Sequence, residues 1–400
     1  MKTEDLYKAK NTCCGCELCA QSCPKSIIKM VEDEEGFLYP QIEDDTKCIN
    51  CGKCLSVCPE KTPGRPGNPI IKSYSFHLSN NNDLKKSASG GLVTAISREF
   101  IRLGGVVYGV GYSDDFRSIR YARASEEMEL EQFRGSKYVQ ANKRDIYLQV
   151  KRDLNEGLKV LFVGLPCEIS ALYHATGEKD NLYSISLICH GPTSQKVHRD
   201  YCDSLPNNGK APLTFFSVRY KKKGWKPYYI QANYDDGKEY SEVWGPSDYG
   251  MAFLYLKRPS CRTCQYKAEN MDFGLQADLV AGDFHGVNKK SKEYHPWGVS
   301  EGCILTKKGI YLSSLAESEC NLTEIPYSVV RNTNRGLFMP IPQRGNKERF
   351  VNDYLNHSLH YACHSWMVKT FNMFVSLNNK IKRFRSVKKI PAKINSMLNR

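Results

Sequence analysis

The sequence predicts three regions: a compact cysteine-rich α+β head, an α/β body with a mixed, largely parallel sheet, and a basic helical C-terminal tail. Three observations predict them. Nine of the seventeen cysteines fall within the first 58 residues. From about residue 85 helical and strand patterns alternate, as in sheets covered on both faces. Residues 365–400 hold nine Lys or Arg and no Asp or Glu. At 400 residues the chain is long enough for two or three domains. With 41% hydrophobic and 25% charged residues, it is neither a polytopic membrane protein nor a disordered chain. Met1–Tyr7 has no apolar signal core, and eighteen apolar residues never run together, so the chain reads as cytoplasmic. In that compartment clustered cysteines mean metal ligands before disulfides. Of the +14 net charge the tail takes nine, leaving +5 for the other 364 residues, so no basic stripe for nucleic acid runs through the body.

The head, 1–70, ends in Pro63-Gly64-Arg65-Pro66-Gly67-Asn68-Pro69, a linker composition that denies helix and central strand. Ser89-Gly90-Gly91 then opens a helix with Leu92, Ile96 and Phe100 on one face, stopped by Gly104-Gly105. Val106-Val107-Tyr108 reads as a strand, and Ile146, Val150 and Leu154 mark a second helix ending at Gly157. Continuous apolar runs at Val160-Leu161-Phe162-Val163 and from Ile185 to Ile188 suit buried parallel strands. The segments 213–220 and 228–234 read as an antiparallel pair that makes the sheet mixed.

Within the head, Cys13-x2-Cys16-x2-Cys19-x3-Cys23-Pro24 recurs as Cys48-x2-Cys51-x2-Cys54-x3-Cys58-Pro59. A tight loop aims three thiolates at one iron–sulfur cubane, while the fourth cysteine of each run serves the other cluster. That rule groups Cys13, Cys16, Cys19 and Cys58 around one [4Fe-4S] cluster and Cys48, Cys51, Cys54 and Cys23 around a second. A pair of zinc knuckles is the alternative, but it leaves the closing Cys-Pro unexplained. The head resembles the bacterial two-cluster ferredoxins, which implies a ferredoxin-like fold. Cys14 is an extra thiol, outside the ligand set.

In the body, Cys167 and Cys189 each follow a predicted strand, where ligands gather in open parallel sheets. With Cys261-x2-Cys264 they make a candidate third four-thiolate site, the alternative being buried structural thiols. Cys202, Cys303, Cys320 and Cys363 have no such company and read as structural.

Ser87-Ala88-Ser89-Gly90-Gly91-Leu92, Gly135-Ser136-Lys137-Tyr138, Gly164-Leu165-Pro166-Cys167-Glu168-Ile169, Cys189-His190-Gly191, Arg258-Pro259-Ser260-Cys261-x2-Cys264 and Gly282-Asp283-Phe284 occur in that order. Together they resemble the coenzyme F420 hydrogenase/dehydrogenase beta-subunit family. The resemblance implies its N-terminal part over 71–165, its C-terminal part over 166–345, and a tail over 346–400. It also implies FAD, and a third [4Fe-4S] cluster on Cys167, Cys189, Cys261 and Cys264. Electrons would then pass to or from a small-molecule redox substrate, a coenzyme F420-like deazaflavin by resemblance.

The candidate FAD contacts are Ser89, Gly90, Gly91, Gly135, Ser136, Lys137, Tyr138, Gly164 and Pro166. Gly90 and Gly91 open a helix whose N–H groups suit a pyrophosphate, or else form a plain tight turn. Neither a nicotinamide fingerprint nor a P-loop appears. His190 and His285 are candidate proton donors, with satisfied structural histidines as the alternative. The expected activity is an iron–sulfur flavoprotein oxidoreductase. An electron-transfer subunit wiring a redox partner protein is the competing reading, and a redox sensor a third, for which no DNA-binding motif is visible. In the tail, Trp366, Met367, Phe371, Phe374 and Ile381 recur at helical spacing beside Lys380, Lys382, Arg383, Arg385, Lys388 and Lys389. That pattern predicts peripheral contact with an anionic membrane, against a solvated or docked tail.

Overall fold

The structure, a computed structural model, describes residues 1–376 apart from 271, 371, 374 and 375. The head is built on a hairpin of β1 (Ile28–Glu32) and β2 (Leu38–Ile42), in which Ile28 faces Ile42. Two short helices, Leu18–Gln21 and Lys53–Ser56, carry the third cysteine of each run. Each helix is entered through a left-handed residue, Glu17 at φ 66° and Gly52 at φ 67°, so the sequence repeat is also a backbone repeat. Glu17 is an uncommon residue for that conformation. Its carboxylate accepts the backbone N–H groups of Lys143 (3.0 Å) and Arg144 (3.2 Å), which offsets the strain and fastens the head to the body.

The body contains β3 (Lys72–Leu78), β4 (Val106–Tyr112), β5 (Ile119–Ala124), β6 (Val160–Gly164), β7 (Leu182–Leu187), β8 (Leu213–Tyr220), β9 (Tyr229–Tyr234), β10 (Glu239–Val243), β11 (Leu279–Asp283), β12 (Ser300–Ile304) and β13 (Cys320–Glu324). Eight of these form one sheet in the order β13-β3-β12-β11-β7-β6-β4-β5. Only β11·β7, β7·β6 and β6·β4 pair in parallel. The expectation of a largely parallel sheet is therefore corrected: among the described strands, parallel strand–strand pairs occur only at the centre, with isolated parallel bridges Arg120–Asn142 and Val139–Thr193 beside them. β5 folds back on β4, while β12, β3 and β13 add antiparallel pairs at the other side. The antiparallel pair β8·β9 is present, but with β10 it forms a separate three-stranded sheet and is not what makes the main sheet mixed.

One face of the main sheet packs Val107, Leu161, Ile185 and Leu279 against Leu92, Ile96 and Phe100 of the helix Leu92–Arg102. The other face packs Tyr108, Val160 and Phe162 against the helices Ile146–Asn155 and Pro166–Thr176. Cys14, Cys16, Leu18, Phe37 and Tyr39 of the head belong to this second core. The Pro63–Pro69 segment has no regular structure, as expected, but it is docked. Gly64 N donates to Ser170 Oγ (3.3 Å), Asn68 N to Leu275 O (2.7 Å), and Arg65 lies 4.1 Å over the Tyr173 ring and 3.4 Å from Asp278.

The chain then runs through the helices Lys347–Asn356 and Leu359–His364, and 366–370 are helical. Trp366 is 73% exposed. Phe371, Phe374, Ile381 and the basic residues from Lys380 onward lie outside the described residues, and with them most of the expected membrane contact. Among the described residues no helix is long and apolar enough to cross a membrane.

Candidate functional site

The eight motif cysteines of the head converge in two groups. Cys19 lies within electrostatic reach of Cys13 and Cys58, and Cys16 of Cys13 and Cys19. Cys23, Cys48, Cys51 and Cys54 line one cavity, walled by Ile27, Ile28, Ile42 and Ile49. The fourth cysteine of each run thus stands with the first three of the other.

Cys167, Cys189, Cys261 and Cys264 also come together. Cys167 is the second residue of the helix Pro166–Thr176, Cys189 follows β7, and Pro259–Thr263 brings in Cys261. Cys261 feels Cys189, Cys167 and Cys264. Gly191 N donates to Cys189 Sγ (3.3 Å), and a Cβ on Gly191 would stand 3.1 Å from Cys261 Cβ, so this close approach requires glycine. Burial, and then the neighbouring thiols, push Cys261 well above the ordinary thiol range. Burial likewise pushes Cys264 up to about 12. Four thiolates held here need a cation among them, which is the chemistry of a metal or cluster site.

Cys14 is not idle. Its thiol lies beside the Cys16 and Cys167 thiols and the Glu60 carboxyl, and proximity to Cys16 together with burial pushes it well above the ordinary thiol range. It therefore touches one cysteine of the head and one of the body. Arg258, only 1% exposed, closes the same seam. Its Nε donates to Cys13 O (2.8 Å), Nη1 to Gln140 Oε1 (2.8 Å) and Nη2 to Leu38 O (3.0 Å), while Nη2 stands 3.5 Å from Cys13 Sγ. Gln140 Nε2 in turn donates to Cys14 O (2.7 Å). Behind Cys167, Glu168 accepts from Tyr121 OH (2.6 Å) and pairs with the buried Lys143 (3.0 Å).

Beyond Cys189 lies a buried polar cluster centred on Arg219. Its Nη1 donates to Tyr138 OH (2.6 Å), its Nη2 to Ala88 O (2.8 Å), and it pairs with Asp283 (2.9 Å) under the Tyr228 ring at 3.8 Å. One arginine thus joins three of the sequence motifs. Lys221 donates to Leu84 O (2.8 Å), Ser89 O (2.7 Å) and Trp297 O, and burial lowers its pKa to about 7. Tyr138 packs on Phe253 (4.8 Å) and Trp244 (5.4 Å). The His190 and His285 rings lie 6.2 Å apart, and His285 is 3.9 Å from Asp283, so they span the gap between the cysteines and the Arg219 group. Burial lowers His190 to about 4, leaving it neutral at pH 7.

The predicted FAD contacts divide between these places. Ser89 and Tyr138 border Arg219. Gly90 N donates to Ser300 Oγ (2.9 Å), so that N–H is not free for an anion, and Gly91 caps the helix at φ 82°. Gly135 and Ser136 adjoin Tyr138, whereas Lys137 Nζ donates to Gln132 O and Arg134 O, both at 2.9 Å. Gly164 and Pro166 stand instead beside Cys167. Cys202, Cys303, Cys320 and Cys363 are buried, each by itself, as expected.

Residues 12–62 match the 4Fe-4S dicluster domain, and 157–325 match the C terminus of the coenzyme F420 hydrogenase/dehydrogenase beta subunit. The chain joins these two domains. An iron–sulfur redox function follows, with the F420 hydrogenase/dehydrogenase-type domain as its oxidoreductase half. Among solved structures the chain is similar to one in a xenon-derivatized F420-reducing [NiFe] hydrogenase complex from Methanosarcina barkeri, at 18% identity and a TM-score of 0.47, covering 67% of this chain and 89% of that chain. No curated protein matches. Arg219, Arg258, Gln140 and Lys221 were not among the residues expected from sequence. Only Arg258 carried a signal, its place directly before Pro259-Ser260-Cys261 at the edge of the second cysteine pair of the body.

Proposed function

We propose that the protein is an iron–sulfur flavoprotein oxidoreductase that moves electrons between its dicluster head and a small-molecule acceptor or donor beside Arg219. The observation that carries the reading is a line of neighbouring groups from head to body: Cys16, Cys14, Cys167 and Cys189 within electrostatic reach of one another in turn, then His190, His285, Asp283 and Arg219. In this reading Cys13, Cys16, Cys19 and Cys58 hold one [4Fe-4S] cluster and Cys23, Cys48, Cys51 and Cys54 a second. Cys167, Cys189, Cys261 and Cys264 hold a third.

The side chains around Arg219 suit FAD. Among the described residues, buried Arg219 Nε, Trp225 Nε1 and Trp244 Nε1 lack hydrogen-bond partners, leaving donors for an electron-rich ring or phosphate, and Tyr138, Trp244 and Phe253 supply aromatic walls. FAD, when bound, supplies the conversion between one-electron and two-electron transfer. Arg219 fixes charge beside it, while neutral His190 separates it from the cysteines. The acceptor class favoured by resemblance is a deazaflavin.

The test is anaerobic purification of the full chain with iron and flavin analysis, followed by stopped-flow re-oxidation. About twelve irons and one FAD per chain are expected, at four irons per cubane. Combined Cys261→Ser and Cys264→Ser should lower the iron by about a third. Re-oxidation by oxidised deazaflavin, and not by NAD or NADP, supports the enzyme. A chain that binds no flavin after reconstitution is instead a wiring subunit for a redox partner protein.

A further inference from the structure

Away from every cysteine group, Asp248, His360 and His364 bring three potential ligand atoms within 4.8 Å of one another. Asp248 is the first residue of the helix Asp248–Tyr255, whose cap Ser247 accepts Gly250 N at 3.0 Å. The two histidines lie one turn apart on the helix Leu359–His364, with ring centroids 4.1 Å apart. His360 Nδ1 is 2.9 Å from Asp248 Oδ2, and His364 Nδ1 is 3.3 Å from Asp248 Oδ1 and 3.0 Å from His360 O. Asp248 Oδ1 is buried and, among the described residues, has no hydrogen-bond partner, although it faces the second imidazole. The side chain of Asp248 is 15% exposed, against 71% and 47% for the histidines, so the carboxylate is fixed while solvent reaches the imidazoles.

From this geometry we infer that Asp248, His360 and His364 form a binding site for a divalent transition-metal ion of the zinc class. Two imidazoles at i and i+4 on one helix face, joined by one carboxylate, are a borderline-soft donor set that zinc accepts, with water in the fourth position. A hydrogen-bonded ion pair does not account for the arrangement as well. One carboxylate cannot favour two stacked imidazolium ions at once, and one of its oxygens is left without a donor. A single dication satisfies both oxygens and both rings, with His364 giving up its Nδ1 contact to His360 O or turning Nε2 inward. The alternative metals are the harder oxygen-seeking ions, which two imidazoles disfavour.

The site would join two parts of the chain that are far apart in sequence. Asp248 stands thirteen residues before Cys261, on the helix that leads into Arg258 and the third cysteine group. The histidines stand at the root of the basic tail. An ion here clamps the helix Leu359–His364 onto the segment that positions Arg258, independently of the redox function proposed above.

The experiment uses the untagged full-length protein, anaerobically purified with its iron intact, titrated calorimetrically with zinc chloride in a non-chelating buffer. One zinc per chain is expected. Combined His360→Ala and His364→Ala should abolish that site, and Asp248→Asn should weaken it by about tenfold or more, the iron content staying constant throughout. Because the histidines are exposed, their removal leaves folding intact. As a second readout, zinc should raise the thermal midpoint of the native chain and not that of the double variant. Equal zinc uptake by both proteins would assign the ion to thiols, and absence of uptake would leave a plain ion-pair cluster. Either result overturns the site.

Discussion

Arg258 contributes charge where the head needs it. Its guanidinium lies beside Cys13 Sγ and is 1% exposed, so a cluster on Cys13 would feel an almost unscreened cation. Hydrogen bonds and charge near the sulfurs favour the more negative, reduced state. Arg258→Gln should therefore lower the midpoint potential of one head cluster in an EPR-monitored titration. A loss of about 1.4 kcal/mol corresponds to about 60 mV for one electron. Arg258→Lys should recover part of it, and an unchanged potential in the Gln variant would remove the role. Cys14 gives a different test. Cys14→Ala should keep the full iron content yet slow electron transfer between head and body, read by stopped-flow reduction of the head followed by the body signal. Loss of iron would instead make Cys14 a ligand. Both residues were in plain view in the sequence, but a thiol's neighbours and an arginine's reach across the chain are not written in spacing.

The element β12 carries a buried carboxylate that titrates near neutrality. Glu301 is fully buried. Burial raises its pKa to about 7, even though it accepts a hydrogen bond from Thr333 Oγ1 (3.1 Å). The folded state therefore holds a proton that the unfolded state has released above pH 4.5, so stability falls as pH rises from about 4.5 to about 7 and is level beyond. The span amounts to about 3 kcal/mol at most. Glu301→Gln should flatten that part of the pH profile of thermal unfolding, and an unchanged profile would count against it. The turn before the helix Leu92–Arg102 makes a second element-level case. A Cβ on Gly90 would stand 2.1 Å from Phe76 O and 2.5 Å from Ser300 N, both backbone atoms that cannot step aside. Gly90→Ala should cost about 3 kcal/mol in denaturant unfolding. This glycine shows how far periodicity carries. The helix from Leu92, the strands from Val106 and Val160 and the helix from Ile146 were legible because each buries one side of a regular pattern. Gly90 looked like an anion cradle because composition cannot tell an open N–H from one already bonded across the sheet. The membership of β8 and β9 in a separate sheet was equally hidden, since strand pairing is local but sheet partnership is long-range.

At the scale of the whole molecule, head and body are one folding problem. The two cysteine runs identified the head from spacing alone, yet nothing in them announced that Cys14, Cys16, Leu18, Phe37 and Tyr39 would complete the body's core. The Pro63–Pro69 strap looked like a flexible linker and is instead bonded along its length to Ser170, Gln276 and Leu275. Limited proteolysis of the intact protein should therefore spare 63–69, and rapid cutting there would contradict the docking. The shared seam has a consequence for how the protein is made. Arg258 seals Cys13 from 245 residues downstream. At about 5–20 residues per second, ribosomes need roughly 12 to 50 s to travel that distance. For that interval the nascent head stands without its lid, its thiols open to iron delivery and to oxidants alike. Assembly of this chain is thus a race between cofactor insertion and translation, and slow codons between the head and Arg258 would favour insertion.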